Sequence, residues 1–312
     1  MSFYLVTGGA GFIGSSIVRE LVHRKERVRV FDNFSEGKKE NLSGLLEKIE
    51  LIEGDIRDYP AFLKAVEGVD YVLHQAALRS VERSVKDPFE TNEVNVTGTL
   101  NLLLASRERK VKRVVYASSS SVYGDSDHLP TTENSSTHPI SPYAISKLAA
   151  EHYCVAFTHL YGLETASLRY FNVFGLHQDP ASEYAAVIPK FILKLMRDEA
   201  PTIDGDGRQS RDFSYIDDVV EANLKAATTP DIGGQVFNVA GGEGHSVLEL
   251  YETLSEILGK SIHPQFGPPR PGDVKHTLAD LSKSRKLLGC AFKTNFKEGL
   301  EKTAAWLRSV TR

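Results

Sequence analysis

Thr7-Gly8-Gly9-Ala10-Gly11-Phe12-Ile13-Gly14 follows the apolar run Phe3-Tyr4-Leu5-Val6. It precedes a segment whose apolar residues recur at Ile13, Ile17 and Leu21, with Val18 and Val22 beside them. The run reads as a buried strand and the recurrence as one face of a helix. Strand, glycine turn and helix, in that order, are the context in which a glycine fingerprint points to dinucleotide binding. Gly8 permits a tight turn, Gly11 lets backbone approach a pyrophosphate, and Gly14 lets the helix pack close to its strand. Phe12, Ile13 and Gly14 open that helix, whose free N–H groups and partial positive charge suit phosphate.

Further strands follow at Val28–Phe31, Glu50–Glu53, Asp70–Leu73, Arg113–Ala117 and Glu164–Arg169, with helices expected over Pro88–Ser106 and Tyr143–Tyr161. This alternation predicts an α/β fold with a doubly wound parallel sheet. After Arg169 the texture changes to glycine, proline and short irregular runs. Helices are expected at Ala185–Arg197, Asp217–Thr228, Val247–Leu258, Leu281–Leu288 and Phe296–Leu307, a strand at Val236–Val239, and a loop at Pro264–Asp273. The second half is a poor candidate for a core of its own. It reads as a smaller α+β substrate domain over the C-terminal edge of the sheet. The expected division is 1–169 with 214–239 for the cofactor, and 170–213 with 240–312 for the substrate.

The chain has 312 residues, a net charge of −4 and two cysteines, so neither a basic nucleic-acid footprint nor a disulfide scaffold is present. No run reaches the roughly 20 apolar residues of a membrane span, and no signal-peptide pattern precedes the first strand. The expectation is a cytoplasmic protein, with no metal site, nucleic acid or membrane partner.

Asp32 ends the second strand, 18 residues past Gly14. A carboxylate there accepts from ribose hydroxyls and repels a 2′-phosphate, which favours NAD over NADP; Asn33 beside it joins the expected cofactor set. Ala76 and Ala77, after strand four, are small enough for backbone to lie against a cofactor. His74 reads as a packed strand-end histidine. Tyr143 and Lys147 are four apart on one helix face, 24 residues after a serine in the run Ser118–Ser121. A tyrosine pKa near 10 is high for a base. The lysine ammonium and a nicotinium charge are expected to lower it towards working pH.

Taken together, TGGAGFIG, the serine run with Val122-Tyr123-Gly124, and Tyr143-Ala144-Ile145-Ser146-Lys147 resemble the extended short-chain dehydrogenase/reductase family. Within it, the chain is most similar to the NAD-dependent nucleotide-sugar epimerases, the UDP-hexose 4-epimerases above all, over nearly its full length. The resemblance implies a Rossmann domain and makes Ser119 the third catalytic residue, with Ser118 and Ser120 beside it at cofactor or sugar. It implies adenine contacts from Asp55 and Ile56 and active-site support from Asn95, counted with the cofactor set. It implies a diphosphate contact from Asn172, a uracil segment over Tyr184–Phe191 with Ala186, Val187 and Phe191, and a part for Asp204. It also implies diphosphate arginines at Arg211 and Arg270, with Asp273 on a ribose hydroxyl. Arg79 and Ser80 are expected at the sugar. Thr277 stands where a bulky residue closes the pocket to N-acetyl groups, so UDP-glucose, N-acetylated and uronate substrates all stay open.

The implied reaction is 4-epimerisation through a transient 4-keto sugar, with enzyme-bound NADH formed and consumed within the cycle. Related 4,6-dehydratases and decarboxylases carry a carboxylate in the loop after strand five, and Ser118-Ser119-Ser120 has none. A non-catalytic NAD sensor would not need Tyr143 and Lys147. By the same resemblance, the helices near Pro88 and Tyr143 form a homodimer.

Overall fold

The structure, a computed structural model, describes residues 1–126, 128–179, 186–268 and 274–311. The first half runs β1 (Phe3–Thr7), α1 (Phe12–His23), β2 (Arg27–Asp32), β3 (Glu50–Glu53), α2 (Tyr59–Ala65), β4 (Tyr71–His74), α3 (Val81–Lys86), α4 (Pro88–Asn92), α5 (Gly98–Glu108), β5 (Arg113–Ser119), α6 (Pro142–Tyr161) and β6 (Glu164–Tyr170). The second runs β7 (Val173–Phe174), α7 (Val187–Met196), β8 (Thr202–Asp204), β9 (Ser210–Asp212), β10 (Ser214–Tyr215), α8 (Ile216–Thr228), β11 (Gln235–Val239), β12 (Gly244–Ser246), α9 (Val247–Leu258), β13 (Gln265–Gly267) and α10 (Phe296–Val310).

Seven strands form one sheet in the order β11-β6-β5-β4-β1-β2-β3. Every neighbouring pair is parallel. The chain winds outward from β1 to β3, then crosses back to β4, so the winding reverses between β1 and β4. That is the place where an open α/β sheet leaves a crevice. The doubly wound sheet expected from the alternation is therefore the one observed.

Side chains alternate across the sheet, as the pleat requires. Tyr4, Val6, Val28, Val30, Leu73, Val115 and Leu168 face a core shared with Ile17 and Leu21 of α1 and Val219 of α8. Phe3, Leu5, Phe31, Val72 and Val114 face the other core, with Phe62 of α2, Leu102 of α5 and Phe157 of α6. The first core continues without a break into Phe191 of α7, Leu250 and Leu254 of α9, and Leu300 and Leu307 of α10. Both halves of the chain thus share one apolar interior, with β11 and α8 returning to the sheet side.

Two helices differ from the sequence reading. The single helix expected over Pro88–Ser106 contains a π turn at Glu93–Thr97 between α4 and α5. The helix expected over Leu281–Leu288 is mainly a π turn, Ser284–Leu288. The short helices α2 and α3 and the two- and three-residue strands were not anticipated. β13 lies within a stretch read as loop, where it pairs with β8. No described helix is long and apolar enough to cross a membrane.

Candidate active site

The glycine turn is built by close approach. Gly8 has φ +64°, and a Cβ there would lie 2.7 Å from the Ala76 nitrogen at the end of β4. A Cβ on Gly14 would lie 2.1 Å from the Gly8 carbonyl oxygen. Gly11 is less crowded, with only the Gly8 oxygen near, at 3.2 Å. Gly11 begins α1, and no side chain caps that N-terminus. The first N–H groups of a helix need acceptors from outside it, so an anion fits there.

Gly8, Gly11, Phe12, Ile13, Gly14, Asp32, Asn33, Asp55, Ile56, Ala76, Ala77 and Ser118 line one cleft, together with Arg79, Tyr143 and Lys147. Asp32 sits at the end of β2. Its carboxylate accepts from the N–H groups of Ala10 (2.9 Å) and Phe34 (2.8 Å). Burial raises its pKa, and those two bonds offset part of the rise. Asp55 is already held by Arg57 (2.7 Å) and by Asn33 (3.0 Å). The Arg57 bonds lead in holding its carboxyl down at about 2. His74 is buried between the hydroxyls of Thr7 (2.7 Å) and Thr99 (3.0 Å), in keeping with a packing role.

Asn95 sits in the π turn, with its side chain closed on the protein. Its Oδ1 accepts from the Leu78 N–H (2.8 Å), and its Nδ2 donates to the Leu78 carbonyl (3.0 Å) and the Ser146 hydroxyl (2.9 Å). It thereby clamps the loop carrying Arg79 onto α6, the supporting role read from its mid-helix position. Residues not anticipated in the cleft include Ser35, Glu36, Gly37, Arg83 and Tyr170. Gly37 carried a signal: a Cβ there would lie 2.8 Å from Ala10.

The reactive corner is set by α6. Ser141 caps this helix by accepting from the Ala144 N–H (3.2 Å), and Pro142 opens it. Tyr143 therefore falls in the first turn, facing the end of β5. Its phenol lies close enough to the Ser119 hydroxyl for that group to pull its pKa down, and the Ser119 hydroxyl itself pairs with that of Ser121 (2.7 Å). Lys147 is buried, and its Nζ donates to the Ala117 carbonyl (2.9 Å). Burial pushes its pKa down to about 7. The tyrosine corrects the sequence expectation. In the polypeptide alone its pKa is raised, because burial outweighs the Ser119 hydrogen bond and the Arg79 charge, and Lys147 is not among the causes. Lys147 donates one of its N–H groups to the Ala117 carbonyl, and desolvation weakens its hold on a charge.

Other serines are committed elsewhere. The Ser118 hydroxyl donates to Glu151 (2.6 Å). Ser119 also accepts from the Ser121 N–H (3.2 Å) and so opens the short turn Ser120–Tyr123. Ser80 caps α3 by accepting from the Arg83 N–H (3.0 Å). Ser80, Ser119 and Ser120 are not among the lining residues of this cleft or of the second cavity.

That second cavity gathers Asn172, Ala186, Val187, Phe191, Asp204 and Arg211, six of the residues assigned to the substrate by resemblance. Lys190, from the same expected segment, joins them, and so do Lys194 and Gln209, which were not anticipated; the two lysines, four apart on α7, share a helix face. The Arg211 guanidinium donates to the carbonyls of Ser210 (2.9 Å) and Lys275 (3.2 Å). Thr277 lines neither cavity; its hydroxyl accepts from the Asp212 N–H (3.1 Å). Tyr184, Arg270 and Asp273 lie outside the described residues.

Residues 4–240 match the model of the NAD dependent epimerase/dehydratase family. A UDP-glucose 4-epimerase of Mycolicibacterium smegmatis is 38% identical over 312 residues, 99% of each chain. Two solved structures are similar throughout. One is the UDP-N-acetylglucosamine 4-epimerase from Methanobrevibacter ruminantium in complex with UDP-N-acetylmuramic acid: 42% identity, TM-score 0.93, 99% of this chain and 98% of that one. The other is the UDP-glucose 4-epimerase from Thermotoga maritima with UDP-glucose: 38% identity, TM-score 0.95, 99% of this chain and 100% of that one.

Proposed function

The chain belongs to the NAD dependent epimerase/dehydratase family, and on that premise we propose that it is a UDP-sugar 4-epimerase acting first on UDP-glucose and UDP-galactose. The observation that carries this reading is the placing of Tyr143, in the first turn of α6, against Ser119 at the end of β5, beside the glycine cleft, with no carboxylate in Ser118-Ser119-Ser120. A base without a neighbouring acid suits proton removal and return at one hydroxyl. It does not suit elimination of water, which needs both.

In this reading the uncapped start of α1 holds the diphosphate of NAD, and Asp32 takes the adenosine ribose with its remaining lone pairs. NAD, when bound, supplies the hydride acceptor and donor for the sugar C4. Tyr143 takes the proton of the sugar 4-hydroxyl and gives it back, with Ser119 sharing the hydrogen bond. Arg211 and Asn172 grip the nucleotide end, as a guanidinium fork suits a diphosphate. The sugar end is left free to turn, so that its other face can be presented. Residues 1–169 with 214–239 serve the cofactor, and 170–213 with 240–312 serve the nucleotide sugar.

A second reading, a UDP-N-acetylglucosamine or UDP-glucuronate 4-epimerase, draws on the resemblance at Thr277, a short side chain outside the lining of both cavities whose hydroxyl is tied back to Asp212. Arg79, in the cleft near Tyr143, is the side chain a uronate carboxylate would meet.

Purified protein is incubated with UDP-galactose and no added NAD, and the products are separated by chromatography. UDP-glucose is expected, without net NADH. The same assay on UDP-N-acetylglucosamine and UDP-glucuronate ranks the second reading. Failure to isomerise any of these overturns both. We read the enzyme as a cytoplasmic homodimer joined through exposed Val85, Phe89, Ile145, Tyr153 and Leu160 on α3, α4 and α6. Light scattering showing a monomer alone contradicts that assembly.

A further inference from the structure

Three successive turns of α6 are each tied to the end of β5. Tyr143 meets Ser119, Lys147 meets Ala117, and Glu151 meets Ser118. Residues 143, 147 and 151 form one stripe on the helix, so the three contacts make a ladder between helix and strand. The first two rungs belong to the active site. In the third, Ser118 lines the glycine cleft but Glu151 lines neither cavity, and the proposed reaction gives Glu151 no role.

Glu151, Arg169 and Ser118 are all buried, at 1%, 4% and 2% exposure. Arg169 grips both carboxylate oxygens, with Nε to Oε2 at 3.0 Å and Nη2 to Oε1 at 2.6 Å. It lies on β6 directly opposite Ser118 in the parallel register. Its guanidinium also donates to the Glu133 carbonyl (3.3 Å) and lies over the Tyr123 ring at 4.7 Å. One carboxylate thus fixes β5, β6 and α6 to each other, immediately behind the loop that carries Ser119. Apolar packing tolerates small slides along a helix axis, whereas a two-pronged charged hydrogen bond is directional. A misplacement of about 1 Å at a reacting group costs about 100-fold in rate.

We propose that Glu151 is a positioning residue: held by Arg169 and joined to Ser118, it sets the register of α6 on β5 and so brings Tyr143 onto Ser119. The proposal rests on the reading of Tyr143 and Ser119 as the proton-transfer pair. Facing Tyr143 are Ser119 on β5, Arg79 after β4 and Tyr116 on β5; Lys147 lies on the same stripe of α6. Behind Lys147 lie Tyr116 and His74, both buried and neutral across the working range.

The test uses NAD-loaded protein carrying Ser118→Ala, Ser118→Thr or Glu151→Gln. It reads kcat and KM per folded molecule, and the pH at which Tyr143 ionises, by NMR of ring-13C tyrosine with Tyr143→Phe identifying the signal. Ser118→Ala and Glu151→Gln are expected to lower kcat about 10- to 100-fold, with little change in KM, and to move the Tyr143 titration. Ser118→Thr, which keeps the hydroxyl, is expected to restore both. If Glu151→Gln does not fold, Ser118→Ala carries the test alone, since it leaves the ion pair in place. Ser118→Ala with wild-type kcat and an unmoved titration overturns the proposal, as does a loss that follows only the folded fraction. If the wild-type chain isomerises no UDP-sugar, the functional reading fails, and the tyrosine titration still decides the positioning role.

Discussion

The glycine cleft and the second cavity are assembled in different ways. The cleft is the rim of a sheet: three strand ends, β1, β2 and β4, deliver Gly8, Asp32 and Ala76 side by side. The second cavity has no such rim. Asn172, Phe191, Asp204, Arg211 and Val247 come from separate helices, short strands and a loop, and meet because those pieces share a core. A sheet rim fixes backbone, so the cleft is recognised by backbone-level needs such as glycine. A cavity drawn from scattered pieces relies on individual side chains, and substitutions in the two regions should therefore fail in different ways.

The largest effect is expected where the two regions meet. Tyr143→Phe should lower turnover about 100- to 10,000-fold, while NAD content and UDP affinity, measured by calorimetry, stay unchanged. A rate near wild type would remove Tyr143 from the proton transfer. Next comes Arg211→Ala, which removes a charged hydrogen-bond donor from the second cavity alone. UDP affinity should fall about 10- to 100-fold, as the loss of such a bond implies, with copurified NAD unchanged. If NAD is lost as well, the two regions are not separable.

Gly14→Ala tests the other side. The added methyl has no room beside the Gly8 carbonyl, and overpacking of this kind costs about 1–3 kcal/mol. Lower thermal stability and loss of copurified NAD are expected together, with UDP affinity of the folded fraction retained. A variant that keeps full NAD would show that the turn can yield.

The least visible effect at neutral pH is a pair of opposite pH signatures. His74, against the glycine turn, is pushed down to about 3 by burial, with the Lys147 charge second. Between pH 6.5 and 3 the unfolded chain takes up a proton there and the folded chain does not, so stability falls as pH falls. Asp212, beside Arg211, is pushed up to about 6 by burial against the pull of the Ala279, Gly242 and Gly241 N–H groups. Between pH 6 and 3.8 the folded chain takes up the proton, so stability rises as pH falls. Each slope is about 1.4 kcal/mol per pH unit. In urea titrations between pH 6 and 4, His74→Gln should make the acid loss shallower and Asp212→Asn should make it steeper. Both moving in one direction would break the contrast.

The same division explains what could be read from the chain alone. Gly8, Gly14 and Asp32 were legible because a turn, a close packing and a strand end each demand a residue type. Tyr143 and Lys147 were legible from spacing. Arg211 and Asn172 were ordinary loop residues until a family resemblance singled them out, because no local rule marks a side chain that meets its partners only through tertiary packing. The burial that raises the Tyr143 pKa in the polypeptide alone was not legible, since it is a property of the folded surroundings and not of a four-residue spacing. The hydroxyls of Ser80, Ser118 and Thr277 were assigned to ligands or left open. The fold spends them on a helix cap, a buried carboxylate and a backbone amide, partners the sequence does not display.

The apolar interior shared by the sheet, α7, α9 and α10 bears on how such an enzyme can be altered. Neither half has a hydrophobic surface it could afford to expose, so the second half is not a cassette to be grafted onto another first half. A chimera cut between β6 and α7 would leave two cut faces of Leu, Ile and Phe that were shaped against each other. New sugar preference in this scaffold is therefore more accessible through single residues at the cavity wall, and directed evolution should search there before it shuffles segments.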